Sequence, residues 1–382
     1  MAICNEVKMI YFDNAATGGY KPPRSYENAL FTMRHLNANA GRSGHKLSLA
    51  AAEEVFSARK IVASVFGCDS PERVIFTANC TAALNTALFG LLKEGDKVIT
   101  TVTEHNSVLR PLYELKRTKN INLKFITPKP SAVTLEDLEE ISEPDVAAVV
   151  LNAASNVTGT PNDVSGIGGF LKDKQTLFIV DGAQAAGHIT INVKEMNIDA
   201  FCAAGHKGLM ATQGVGVLIA GKRAIIRPTL FGGTGIESFN ENMPDAYPER
   251  LEAGTLDLPA ICSLKGGAEY LADHFGYISA QLENLTEYLI GKLSLRPYLK
   301  VYSIPNPCGI TAFSHVDIPS QELAEILSDR YDIAVRGGFH CAPLMHKFLG
   351  TEKWGLVRVS MNPRNTRREI SALLSALDEI SL

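Results

Sequence analysis

The chain has 382 residues, 46% of them hydrophobic and 20% charged, with a formal net charge of −4. That length accommodates two domains and a substantial core, and the charge gives no electrostatic case for binding nucleic acid; the basic run 364–368 reads as a solvated face. No apolar run approaches the ~18 residues that a membrane span needs, and residues 1–10 lack the basic start and apolar stretch of a signal peptide, so a cytoplasmic protein is expected. Seven cysteines stand at positions 4, 68, 80, 202, 262, 308 and 341, with no Cys-x-x-Cys pair. An odd, scattered set disfavours a disulfide framework and a structural zinc site, and no metal site is expected. Cys4, Cys68, Cys202, Cys262 and Cys308 read as small buried or incidental thiols. Cys341 stands apart because of its neighbours.

From about residue 45 to 220, strand-like apolar runs alternate with helical patterns: 73–77, 97–101, 123–126, 147–151, 176–180 and 215–219. Such alternation predicts an α/β fold, a mainly parallel sheet with helices on both faces. The expected large domain covers 13–255, with 1–12 as a joining N-terminal segment. A long helical pattern over 258–295 opens a smaller α+β domain, 256–382, that carries Cys341 and Arg358. The active site is expected in the crevice between the domains, with the N-terminal segment closing over it. No internal repeat, low-complexity tract or flexible linker is present.

The run at 73–77 leads into Ala78-Asn79-Cys80-Thr81, which opens an apolar helix. Helix starts present unpaired N–H groups that suit a phosphate dianion, with Cys80 and Thr81 the candidates; a plain polar N-cap is the alternative. The run at 176–180 delivers Asp181 at its carboxyl end, where open α/β sheets place ligands. Lys207 follows in Phe201-Cys202-Ala203-Ala204-Gly205-His206-Lys207-Gly208. A lysine to hold an aldehyde and a carboxylate to keep a pyridine nitrogen protonated are what pyridoxal 5'-phosphate requires. The third element is Arg336-Gly337-Gly338-Phe339-His340-Cys341-Ala342-Pro343-Leu344.

Eight landmarks then occur in one order: Tyr11 to Thr17, Gly44-His45, Thr103-Glu104-His105, Ser155 to Gly159, Asp181 to Gln184, Gly205-His206-Lys207, Glu252 to Thr255, and Arg336 to Cys341. With them the chain resembles the fold-type I, class V aminotransferase-like enzymes over nearly its whole length, and within these the cysteine desulfurases. The Arg-x-Gly-x-His-Cys-Ala form resembles their second group. The resemblance implies a homodimer that binds pyridoxal 5'-phosphate and serves sulfur transfer of the kind that feeds iron–sulfur cluster assembly, with a sulfur-acceptor protein as a further partner. It implies that His105 stacks on the ring, Asn156 and Gln184 bond its phenolic oxygen, and His206 with Thr255 of the partner subunit assists at the phosphate. Arg358 would grip the substrate carboxylate through paired hydrogen bonds, with Arg336, His45 and Asn156 as further substrate contacts.

The implied reaction converts L-cysteine to L-alanine. Lys207 moves the Cα proton and the Cys341 thiolate takes the sulfur as a persulfide, helped by cationic or hydrogen-bonding neighbours, His340 and Arg336. Two departures stand out: Ala204, where the family often has a phosphate-bonding serine, and Phe339, where many of the second group carry another histidine. A single neutral hydrogen bond is worth only about 0.5–1.5 kcal/mol, so cofactor binding is expected to survive the first. A selenocysteine lyase shares fold, cofactor and most residues. A class V aminotransferase or racemase with Cys341 incidental, and a non-catalytic binding protein on the same fold, are more distant alternatives. His340, Cys341 and His346 without further spaced ligands make a poor metal site.

Overall fold

The computed structural model describes residues 9–41, 44–129 and 131–381; Cys4 lies outside the described residues. These divide into two compact units. The larger comprises Lys21–Ala154 and Pro161–Phe275, the smaller Met1–Tyr20, Ser155–Thr160 and Gly276–Leu382. The sequence suggests a division at 255/256. The 36-residue helix Leu258–Leu293 instead runs through the division at 275/276, and the segment Ser155–Thr160 clusters with the smaller unit.

In chain order the strands are β1 Ile10–Tyr11, β2 Val74–Thr77, β3 Lys97–Thr101, β4 Asn122–Ile126, β5 Val146–Asn152, β6 Leu177–Asp181, β7 Ala200–Ala204, β8 Gly216–Ala220, β9 Leu299–Val301, β10 Ile310–His315, β11 Ile333–Ala334, β12 Arg336–Gly338 and β13 Leu356–Ser360. The helices are α1 Pro23–His35, α2 Lys46–Val65, α3 Cys80–Leu91, α4 Asn106–Lys119, α5 Leu135–Ile141, α6 Val164–Leu171, α7 Leu258–Leu293, α8 Ser320–Tyr331, α9 Pro343–Leu349 and α10 Arg367–Ile380.

The larger unit is built on a seven-stranded sheet of order β2-β8-β7-β6-β5-β3-β4. Strands β4, β3, β5, β6 and β7 run parallel, and β8 runs antiparallel to both β7 and β2. The central strands are apolar up to their last residues, Asn152 of β5 and Asp181 of β6, because both faces are covered; every residue of β7 and β8 is buried. β7 carries no β-branched residue. Ala200-Phe201-Cys202-Ala203-Ala204 gives weak intrinsic strand preference, and its burial between β6 and β8 holds it extended. Register puts Asn152 beside Asp181 and Asp181 beside Cys202. Gly216 pairs with both Ala204 and Thr77. The carboxyl ends of β5, β6 and β7 and the start of α3 therefore meet at one edge. Gly216 has to be glycine there, since a Cβ would sit 2.3 Å from the carbonyl carbon of Asn79.

The smaller unit holds an antiparallel sheet of order β12-β13-β10-β9, and β1 pairs in parallel with β11. Val157, Ala312, Ala342, Met345 and Leu356 form a buried apolar cluster within it.

Candidate functional site

In the larger unit, Asp181 ends β6 and is buried. Its Oδ1 accepts the Ala183 N–H at 2.9 Å and faces the Cys80 thiol at 3.7 Å. Burial raises its pKa, while the Ala183 N–H, the Lys207 charge and the Cys80 thiol pull it back. The thiol of Cys80 is itself held well above its ordinary value, by burial and then by the Asp181 charge. Cys80 thus has its side chain on Asp181, leaving its backbone N–H for the helix mouth. Asn79 caps α3 by accepting the Ala82 N–H at 2.9 Å, so the N–H groups of Cys80 and Thr81 keep no intrahelical partner.

Thr81 is exposed, and its hydroxyl lies 2.8 Å from that of Ser107, which in turn lies 2.9 Å from His105 Nδ1. His105 caps α4, its Nδ1 accepting the Ser107 N–H at 3.0 Å, so the proton of the neutral ring sits on Nε2. A hydroxyl chain therefore joins the α3 start to His105. Ser107 was not singled out by the sequence, though Thr-Glu-His-Asn-Ser two residues beyond a strand end carries the signal of a capped helix.

Lys207 and His206 are half-buried on the turn after β7. The turn is closed by Met210 N–H on the Lys207 carbonyl at 2.9 Å and by Ala211 N–H on the Gly205 carbonyl at 2.8 Å. Burial, with the Lys207 and Lys21 charges, brings His206 down to about 4, so it is neutral at physiological pH. Gln184 is buried just past Asp181. Thr255 is exposed and its hydroxyl accepts from the Asn39 amide at 3.2 Å. His45, exposed, caps α2 by accepting the Ser48 N–H at 3.2 Å. Ala204 is buried at the end of β7 and offers no hydroxyl. A buried carboxylate, a half-buried lysine and a helix start within one unit form a donor set that fits an aromatic nitrogen base bearing an aldehyde and a phosphate.

In the smaller unit, Cys341 is exposed on the loop between β12 and α9. Gly338, His340 and Cys341 all have positive φ, at 108°, 48° and 56°. Two successive non-glycine residues in the left-handed region are uncommon and cost roughly 1–2 kcal/mol each, so the surroundings must hold them. Asn156 Nδ2 donates to the His340 carbonyl at 2.7 Å, Ala342 N–H to the Phe339 carbonyl at 2.9 Å, and His340 Nε2 to the Leu356 carbonyl at 3.0 Å. Arg336 Nη2 lies 3.9 Å from Cys341 Sγ.

His340 corrects an expectation. It is buried, and burial with the Arg358, His346 and Arg336 charges holds its pKa well below the ordinary value. A neutral ring tied to a strand carbonyl supplies no positive charge to Cys341, and Arg336 is the cation beside the thiol. Phe339, half-exposed, packs edge-on against His346 with ring centroids 5.4 Å apart. Arg358 is 1% exposed and donates from Nη1 to the Asn156 carbonyl at 2.9 Å and from Nη2 to Asp13 Oδ1 at 3.0 Å. Its Nε and the Oδ1 of Asn156 are buried without a hydrogen-bond partner. Buried polar groups left open in this way mark a place where a ligand or water completes the set. Asn156 carries its donor on the cysteine loop and its acceptor open. Asp13, the counter-ion of Arg358, stands in the first landmark but has no role readable from sequence.

Among the described residues no group of three His, Cys, Asp or Glu could hold a metal ion, and no helix is long and apolar enough to cross a membrane. The profile of the aminotransferase class-V family matches residues 10–373. A probable cysteine desulfurase of Pyrococcus abyssi is 31% identical, over 98% of this chain and 94% of that protein. One of Halobacterium salinarum is 32% identical, over 97% and 91%. The apo structure of cysteine desulfurase from Thermococcus onnurineus superposes with a TM-score of 0.89 at 32% identity, covering 97% of this chain and 94% of that one. The Escherichia coli cysteine desulfurase CsdA, in its S-sulfonic acid form, gives 0.85 at 25% identity, with the same coverage.

Proposed function

The chain belongs to the aminotransferase class-V family, and on that premise we propose that it is a pyridoxal phosphate-dependent cysteine desulfurase that passes sulfur to Cys341. When bound, pyridoxal phosphate supplies an electron-accepting ring to which the substrate amine is joined. Lys207 Nζ would hold the cofactor aldehyde and is the group that would move the proton at the substrate Cα. Asp181 would meet the ring nitrogen with its carboxylate, and the N–H groups opening α3 would take the phosphate with the Thr81 hydroxyl. His105, with Nε2–H and an anchored Nδ1, keeps the ring plane. Gln184 would bond the phenolic oxygen, a role the family also gives to Asn156, and this chain's own His206, with Thr255 of the partner subunit, would assist at the phosphate.

Arg358 receives the substrate carboxylate, with Arg336 and His45 as outer contacts. Cys341, as thiolate, attacks the substrate sulfur. The S–S bond forms as the C–S bond breaks, and the electron pair of that bond stays with carbon, which then takes a proton. L-Cysteine and a thiol thereby become L-alanine and a persulfide, with no outside oxidant or reductant.

The observation that carries this reading is the placement of Cys341. Among the described cysteines it is the exposed one, four of the others being buried and Cys68 partly so, and a guanidinium stands beside it. A transaminase needs no such thiol. Three further points belong to the same reading. Exposed apolar side chains gather on α1 (Tyr26, Leu30, Phe31), on α2 (Leu47, Phe56) and at Phe231, which supports a homodimer. An exposed thiol supports handover of the sulfur to an acceptor protein. Unpaired cysteines among the described residues fit a reducing cytoplasm.

The test measures alanine and sulfide from L-cysteine under reductant, for the wild type and Cys341→Ala in parallel. Alanine from the wild type alone is the expected result. Alanine from neither, with selenide from L-selenocysteine, would make the protein a selenocysteine lyase. An oxo acid in place of alanine would make it an aminotransferase.

A further inference from the structure

Lys21 lies outside every landmark of the sequence, yet its ammonium reaches the lysine-bearing turn. Nζ donates at 2.8 Å to the carbonyl of His206, which is the carbonyl of the peptide bond joining His206 to Lys207. The turn's flanking carbonyls, those of Gly205 and Lys207, take backbone donors; the one between them takes a side chain 185 residues earlier in the chain. On its other side the turn is pressed against the Asp181 loop, where a Cβ on Gly208 would meet the Ala186 carbonyl oxygen at 2.2 Å.

The origin of the lysine side chain is fixed as well. Pro22 and Pro23 follow it, Pro22 as N-cap of α1, and a residue before proline is confined to extended conformations. Lys21 makes no ion pair with a carboxylate among the described residues, and its positive charge bears on His206 together with that of Lys207. Burial brings the Lys21 ammonium down to about 8.

We propose that Lys21 is a positioning residue for the reaction: it anchors the His206–Lys207 peptide and sets a second positive charge on the peptide bond that leads into Lys207. This rests on the reading of Lys207 given above. A held peptide fixes where Lys207 Nζ is presented, and a neighbouring cation makes that nitrogen harder to protonate, so more of it is available as a base.

The test uses the full chain as Lys21→Met, Lys21→Gln and Lys21→Arg, read in two ways. The first follows the pH-dependent absorbance of bound pyridoxal phosphate, which reports protonation of the Lys207 nitrogen. The second follows Lys207 directly in cofactor-free enzyme, by NMR of 13C-labelled lysine with its resonance assigned through Lys207→Arg. In Lys21→Met the Lys207 titration should move upward by roughly half a pH unit or more, and kcat should fall about tenfold with KM for cysteine little changed. Lys21→Gln, which can still donate to the carbonyl, should move the titration but recover much of kcat. Lys21→Arg should restore both.

Superimposable Lys207 titrations in the wild type, Lys21→Met and Lys21→Gln would overturn the proposal. If Lys21→Met does not fold, Lys21→Gln and Lys21→Arg decide. A wild type that binds no pyridoxal phosphate would defeat the functional reading, while the NMR titration would still decide the role of Lys21.

Discussion

The lysine-bearing turn and the cysteine-bearing loop solve opposite problems. Lys207 follows a fully buried strand, and its surroundings are a matter of charge: a buried Asp181, a His206 brought down to about 4, and the Lys21 ammonium on the adjoining carbonyl. Cys341 follows the short strand β12 on a loop with two successive left-handed residues, next to an imidazole that burial keeps neutral. Polar capacity is left open there, at Asn156 Oδ1, His340 Nδ1 and Arg358 Nε. The first region tunes proton affinities on a rigid sheet edge; the second spends backbone strain on presenting one thiol and keeps hydrogen-bonding groups in reserve for a ligand. Each region lies within one compact unit, so each can be perturbed by itself.

The largest effect is expected from Lys207→Ala. Alanine formation should fall by about 10²–10⁴-fold, the range for a lost acid–base group, and the alkylation rate of Cys341 by iodoacetamide should stay that of the wild type. A changed alkylation rate would break the separation of the two regions. Arg358→Lys comes next. Lysine cannot reproduce the fork that meets Asp13, Asn156 and a carboxylate together. KM for cysteine should rise roughly ten- to a hundredfold, with kcat affected less. An unchanged KM would remove Arg358 from substrate binding.

Asn156→Ala sharpens the picture of the loop. It deletes the donor on the His340 carbonyl, one of the ties that hold two left-handed residues in place. A loss in kcat of about tenfold is expected, together with a Cys341 alkylation rate that differs from the wild type. If both are unaltered, the remaining ties to Leu356 and Phe339 suffice to hold the loop.

Most of the sheet was legible because buried parallel strands are short apolar runs: the expectation at 97–101 matches β3, and those at 147–151 and 176–180 are displaced by one residue at their ends. β7 was not foreseen, since small residues carry no strand preference and only its neighbours keep it extended. Nor could the pattern tell that β8 runs against its neighbours, because alternation of elements is blind to the sense of a hairpin-like return. Asp181, Lys207 and Cys341 were legible because their chemistry demands particular residue types in a particular order. Lys21, Asp13 and Ser107 were not, because each acts on another residue distant in sequence or through a cap, and nothing local marks the partner. The neutrality of His340 is a property of burial, which a motif of polar residues does not display.

The smallest effect on turnover is expected at Glu104, and it is the cleanest probe of the charge-tuned region. Its carboxyl is fully buried; Oε1 accepts from Thr101 Oγ1 at 2.7 Å and from the Asn152 N–H at 2.9 Å, while Oε2 has no partner. Burial, opposed by those two donors and reinforced by the Asp181 charge, raises it to about 8, so the neutral acid predominates at pH 7. An unfolded glutamate titrates near ~4.3. Between that value and about 8 the native chain binds a proton that the unfolded chain has released. Stability from this group is therefore complete below pH ~4.3 and declines as pH rises toward 8, by roughly 1.4 kcal/mol per pH unit in mid-window. Glu104→Gln keeps an acceptor for the two donors and cannot ionise. Its urea midpoint, compared with the wild type at pH 5.5 and 7.5, should lose that decline while alanine formation at pH 7 stays near the wild-type rate. Parallel pH dependences in the two proteins would mean that Glu104 is ionised in the native state.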